Sequence, residues 1–291
     1  MLNFKKLTIE DIDLLNSYYQ KYNNKCADYT VCGYFLWRDY FNTHFAISND
    51  TLILKMDSKS WTNFFGMPLG ENIENAISEL IDYCKIENIN LKIFPVPKFD
   101  VDKIKLDYNF DVKYVDRCSD YIYNYESLKS LSGRKLHGQK NHLNYFIKNY
   151  PNAIFSKIEN SDIDNLIQFL TDLKNIENIN SDFHNIEFSM NEEMLKNIMV
   201  YKFVGYKLTI DNRIIGFIVG EQIKNTIFIH FQKMDRTYRG SYQYLMVEFL
   251  KTFENAELVN MEDDAEDDDL KYTKECYHPI YMLDKYMIFA K

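Results

Sequence analysis

Three stretches of this sequence combine residue types that could do chemistry. The first is Asp235-Arg236-Thr237-Tyr238-Arg239-Gly240-Ser241-Tyr242-Gln243, between a predicted strand and a predicted helix. Free amides at a helix start, with the positive end of the macrodipole, attract phosphate. Gly240 would let the backbone approach an anion closely. Arg236 and Arg239 would add charge where that anion sits. Arg236, Arg239, Gly240 and Ser241 are therefore the candidate cofactor-binding residues. The plain alternative is a turn that caps a helix.

The second stretch is Asn260-Met261-Glu262-Asp263-Asp264-Ala265-Glu266-Asp267-Asp268-Asp269. It follows a predicted strand, Ala256–Asn260, and a solvated acidic loop is the usual reason for such a run. Its start, however, lies at the end of a strand beside the proposed anion loop, where α/β sheets place ligands. Glu262, Asp263 and Asp264 could receive a substrate ammonium or act as a base. We take Glu262 and Asp263 as candidate catalytic residues and Asn260 and Asp264 as candidate substrate ligands. A divalent cation is possible, but the calcium-loop spacing is not met, and no metal ligand is assigned.

The third stretch, 127–158, has no Asp or Glu in a chain that holds 43 of them. It carries Lys129, Arg134, Lys135, Lys140, Lys148 and Lys157, with His137 and His142. Helical spacing would turn Leu136, Leu143 and Phe146 or Ile147 inward and Arg134, Lys140 and Lys148 outward. Either this is a solvated basic helix, or Arg134, Lys135 and Lys140 face a polyanion such as tRNA or an anionic lipid headgroup.

The elements that must position these residues read the same way twice. Residues 10–15, Glu-Asp-Ile-Asp-Leu-Leu, echo 161–166, Ser-Asp-Ile-Asp-Asn-Leu. Each opens an amphipathic stretch, Asp11–Tyr22 or Asp162–Lys174. Predicted hairpins follow around Asn49-Asp50 and Asp211-Asn212. Then come a strand (61–65 or 226–233), a loop, a helix (73–85 or 242–254) and a strand (90–94 or 256–260). The order predicts a tandem duplication joined near 115–130, with domains 1–120 and 121–291. A meander feeding strand–loop–helix–strand implies an α/β fold of mixed sheets with helices on their faces. That order resembles the acetyltransferase-like fold.

At 291 residues with 46% hydrophobic residues, two such domains can each bury a core. A net charge of −9 argues against a surface that embraces nucleic acid everywhere, while leaving room for a local basic face. Five scattered cysteines, odd in number and without a C-x-x-C pair, point to reduced thiols. No segment has the length of a signal-peptide core or a membrane span, so a cytoplasmic protein is expected.

Several motifs together resemble the family named for the C-terminal domain of phosphatidylglycerol lysyltransferase. They are 34–40 (Tyr-Phe-Leu-Trp-Arg-Asp-Tyr), 136–146 (Leu-His-Gly-Gln-Lys-Asn-His-Leu-Asn-Tyr-Phe), 238–243 (Tyr-Arg-Gly-Ser-Tyr-Gln), 259–264 (Val-Asn-Met-Glu-Asp-Asp) and 277–279 (Tyr-His-Pro). The resemblance implies two fused acetyltransferase-like domains and transfer of an acyl or aminoacyl group. The donor would be a coenzyme A thioester or aminoacyl-tRNA, and Tyr277 would protonate the leaving group. The sequence departs from the family where Met261 replaces an Arg, Glu266 replaces a Gly, and 270–279 keeps Leu270, Lys274, Tyr277 and Pro279 but has Lys271, Tyr272 and Cys276 in place of Arg, Lys and Ser. Losing that guanidinium removes a planar partner for the carboxylates. The competing expectation is a non-catalytic protein that keeps the tandem fold and binds a ligand or partner.

Overall fold

The structure is a computed structural model and describes all residues except 1, 23–24, 59–60, 102–103, 105–109, 178–181 and 291. The chain forms two compact units. The first comprises Met1–Asp120, Asp263–Glu266 and Met282–Lys291, and the second Tyr121–Glu262 and Asp267–Tyr281. The expected boundary at 120/121 therefore differs from the observed one in two returning segments, 263–266 and 282–291.

Both units start their first long helix by the same device. A 3-10 turn, Ile9–Asp11, leads into Ile12–Tyr22, and another, Asn160–Asp162, leads into Ile163–Glu177. In the first, Asp11 accepts from the Thr8 amide at 3.0 Å. In the second, Asp162 accepts from the Glu159 amide at 2.8 Å. Each aspartate also takes a lysine, Lys5 or Lys207. Amides at a helix start lack intrahelical partners, and a carboxylate placed there satisfies one of them. The six-residue echo thus encodes a cap.

The first sheet runs in the order Lys5–Lys6, His44–Ser48, Thr51–Met56, Phe64–Phe65, Lys92–Pro97, Lys285–Ala290, Phe110–Tyr114. The second runs Ile154–Lys157, Val204–Ile210, Arg213–Ile223, Thr226–Met234, Leu258–Asn260, Asp120–Asn124, Tyr281–Leu283. The two correspond position by position. The hairpin turns place Asn49 and Asp50, and Asp211 and Asn212, at positive φ, as two-residue turns that match strand twist require. In each sheet the fourth and fifth strands are parallel, paired Phe65↔Ile93 and Ile227↔Val259. A parallel pair needs a crossover, and helices Ile73–Glu87 and Ser241–Leu250 supply it. The expected strand 61–65 pairs only at Phe64–Phe65.

The sixth strand of each sheet is brought from far along the chain. The C-terminal strand Lys285–Ala290 enters the first sheet, against Lys92–Pro97. Strand Asp120–Asn124 enters the second, against Leu258–Asn260. The return of the C-terminal strand is why Met282–Lys291 belong to the first unit. Within it, buried Lys285 lies 2.5 Å from Asp120 and 2.6 Å from Asp28. Burial alone would strip its proton, but the two carboxylates outweigh that and hold it charged well above the ordinary lysine range. Among the described residues no helix is long and apolar enough to cross a membrane.

Candidate functional site

Strand Leu258–Asn260 ends in the middle of the second sheet, beside Thr226–Met234. The chain then turns sharply, with Glu262 at φ 61°. Buried Asn260 braces the turn: its side-chain oxygen accepts from the Glu262 amide at 2.6 Å. Tyr121 on the neighbouring strand accepts from the Met261 amide and donates to the Glu262 carbonyl, at 3.1 and 3.0 Å. Lys274 donates to the Met261 carbonyl at 2.6 Å. These bonds leave the Glu262 side chain half-buried at the end of a central strand, 29% exposed.

Glu262 meets a partner that the motif reading did not single out. His230, on Thr226–Met234, sets Nδ1 2.7 Å from the Glu262 carboxylate. Its Nε2 lies 3.1 Å from the carboxylate of Glu221, on the adjacent strand Arg213–Ile223. The ring is fully buried, and the Glu221 side chain is 7% exposed. Phe203 and Phe228 flank the imidazole at 5.2 and 6.2 Å between ring centroids. A carboxylate only accepts, so an acceptor faces each ring nitrogen. Both nitrogens must then carry protons, or one carboxyl must. The sequence held a trace of this pair, since Glu221 and His230 interrupt runs of Ile, Val and Phe that otherwise read as buried strand.

The acidic run divides just after Glu262. Asp263 and Asp264 belong to the first unit. There Arg117 donates Nη2 and Nε to one oxygen of buried Asp264, at 3.1 and 3.3 Å. The Glu266 amide donates to the same oxygen at 3.1 Å. Asp264, expected as a substrate ligand, is thus bound to protein groups. Arg117 supplies a guanidinium from 147 residues away, while Met261 is buried in the apolar core of the second unit. Asp263 accepts from the Ala265 amide at 3.0 Å.

The loop before helix Ser241–Leu250 is seated on helix His137–Asn149. Gly240 has φ 86°, and a Cβ there would lie 2.1 Å from the His142 carbonyl oxygen. Packing against that helix is by itself enough to require glycine here. Arg239 lies over the Tyr145 ring at 4.8 Å, with Nε 3.5 Å from His142 Nδ1. Arg236 is exposed. The first turn holds no acidic residue, and the buried Ser241 hydroxyl has no hydrogen-bond partner among the described residues. Tyr277, after the short helix Asp268–Glu275, is buried and bonded to Gln243 of the same first turn; burial pushes its phenol above the ordinary range. Gln243 donates onward to Gln139 at 2.8 Å. Tyr277 is therefore joined to the anion-loop helix, whereas Glu262 is joined to His230.

In the basic stretch, Leu136, Leu143 and Phe146 are buried and Ile147 is exposed. Arg134, Lys135 and Lys148 are exposed. Lys140, expected to point outward, is half-buried and donates to the Ser130 carbonyl at 2.9 Å. Lys135 and Gln139 line a cleft of about 340 Å³ with Tyr272, Glu275 and His278. The family described as phosphatidylglycerol lysyltransferase, C-terminal, matches residues 19–289. The chain belongs to this family.

Solved structures share the fold. A conserved protein of unknown function from Bacteroides thetaiotaomicron is 24% identical with a TM-score of 0.92, over 100% of both chains. L-PGS from Bacillus licheniformis is 13% identical with a TM-score of 0.68, over 96% of this chain and 91% of that one. An uncharacterized protein of Mycoplasmoides gallisepticum, MYCGA3080, is 29% identical over 189 residues, which are 62% of this chain and 59% of that relative's length. The architecture is that of two tandem acetyltransferase-like units.

Proposed function

We propose that the second unit transfers an aminoacyl or acyl group from a phosphate-bearing donor to a hydroxyl or amine. The observation that carries this reading is the Glu262 carboxylate, held at the end of a central strand by a buried imidazole. The family's name supports lysyl-tRNA as donor and an anionic lipid as acceptor; a coenzyme A thioester shares the phosphate chemistry. The Ser241–Leu250 helix start, with Arg236, Arg239, Gly240 and the unpartnered Ser241 hydroxyl, suits the donor's phosphate. Arg134 and Lys135 suit a polyanionic donor or a headgroup.

In the step itself the acceptor's oxygen or nitrogen attacks the donor carbonyl. Its proton passes to Glu262. The bond from the carbonyl carbon to the leaving oxygen or sulfur breaks. That atom takes a proton from Tyr277 or from water, so the group moves with no net change of charge.

The test incubates purified protein with labelled lysyl-tRNA or acetyl-coenzyme A and with phosphatidylglycerol vesicles or a free amine. Label should move to an acceptor, and Glu262→Gln should slow it about 10²- to 10⁴-fold, the usual contribution of a positioned base. A second reading, a binding protein that has lost turnover, draws on the buried Met261 in place of the family's Arg. Tight donor binding without transfer from any donor would establish it and end the enzyme reading.

A further inference from the structure

We infer that His230 is a buried imidazolium and that Glu221, behind it, serves as its counter-charge, so that the pair fixes Glu262 as an ionised, oriented carboxylate. This rests on the transferase reading only for its consequence in catalysis; the protonation pattern stands on geometry alone. Nothing in the motifs marks Glu221 or His230, and neither touches the reacting atoms: they are positioning residues.

The argument starts from donors and acceptors. Two carboxylate oxygens lie 2.7 and 3.1 Å from the two ring nitrogens. A neutral imidazole offers one N–H and one lone pair. Against two ionised carboxylates it would set lone pair against lone pair on one side, inside a site where the ring is fully buried. One more proton is needed, and it can sit on the ring or on a glutamate. Free imidazole holds a proton about two pH units more tightly than a glutamate carboxyl. The total charge of the three groups is −1 in both arrangements. The arrangement with the proton on the ring also makes both hydrogen bonds charge-assisted. Its cost is the ionised Glu221, the more buried carboxylate, and the imidazolium 3.1 Å away compensates that charge.

The consequence concerns Glu262. A half-exposed glutamate has three rotatable bonds and no reason to hold one direction. An imidazolium N–H on one carboxylate oxygen fixes the side chain and leaves the second oxygen for the incoming acceptor. Glu221 on the far side offsets the ring's charge. Phe203 and Phe228 hold the ring's plane, so the direction of the Nδ1–H bond is fixed by packing as well.

The test uses the whole chain labelled with 15N-histidine. Ring nitrogen shifts are read at pH 7.5, and the His230 signals are identified by their loss in His230→Phe. Both nitrogens of His230 should be protonated in the wild type. In Glu221→Gln, Nδ1 should stay protonated while Nε2 becomes an acceptor for the new amide. A wild-type ring with a single protonated nitrogen overturns the inference, and if His230→Phe fails to fold, the Glu221→Gln shift makes the assignment. In the transfer assay His230→Phe should lower kcat about 10- to 100-fold, the worth of a hydrogen bond to a charged group. His230→Asn, whose amide can still reach Glu262, should recover part of that loss, and equal loss in both variants refutes the positioning role. If the wild type transfers nothing, the transferase reading fails by itself, while the nitrogen shifts still decide the inference.

Discussion

Replacing Gly240 by alanine separates two roles that the sequence motif leaves merged. Glycine in a loop before a helix can admit an anion, or it can admit another part of the protein. The structure puts the His142 carbonyl oxygen 2.1 Å from where a Cβ would stand, on backbone at φ 86°. An L-residue in that left-handed region costs about 1–2 kcal/mol. The overlap is with backbone, not with the tip of a flexible side chain, so helix His137–Asn149 or the loop must shift, and overpacking of that kind costs about 1–3 kcal/mol. The sum is about 2–5 kcal/mol. For a unit of this size each kcal/mol lowers the melting temperature by roughly 2–4 °C. Thermal unfolding of Gly240→Ala, followed by circular dichroism, should therefore show a fall of about 4–20 °C without any ligand. A melting temperature within a degree of the wild type, together with lost donor binding, would refute the packing argument and restore the anion role to this glycine.

Lys285→Met leaves buried Asp120 without its cation and should destabilise the first unit by about 3–5 kcal/mol in urea unfolding; an unchanged midpoint would count against the pairing. In Asp162, desolvation raises the carboxyl's affinity for protons, but the Lys207 ammonium and the Glu159 amide outweigh it and hold the group below its ordinary range. Its stabilisation is thus present above the unfolded value of about 3.9 and is lost as pH falls through the lower folded one. Asp162→Asn should cost about 1 kcal/mol at pH 7 and progressively less as pH falls through the lowered folded value, as measured by unfolding across acid pH. Reversing Arg134 and Lys135 to Glu should abolish binding of tRNA or phosphatidylglycerol vesicles at low salt and leave the melting temperature unchanged, because both side chains are exposed. The same reversal at Lys140 should cost stability as well, since its ammonium holds the Ser130 carbonyl.

Local patterns were legible wherever neighbours in sequence are also neighbours in space. The paired caps at Asp11 and Asp162, the Asn49-Asp50 and Asp211-Asn212 hairpins and the two crossover helices are set by residues within a few positions of one another. Their repeated order was enough to predict two α/β halves, and the acidic run was enough to make Glu262 a candidate. What lay beyond the sequence is what long-range pairing decides. Nothing near Lys285 says that its strand enters the first sheet beside Lys92–Pro97, because strand order depends on edges made far earlier in the chain, with Lys285 opposite Pro97. The run 262–264 reads as one acidic cluster, yet Glu262 turns to His230 and Asp264 to Arg117, each partner supplied by a strand or loop distant in the chain. Gly240 reads as a ligand-binding glycine, and only the seated helix shows that packing demands glycine there as well. A motif states which groups are available; which of them meet inside the protein, and which remain for a ligand, follows only once distant strands are hydrogen-bonded and their side chains share one interior.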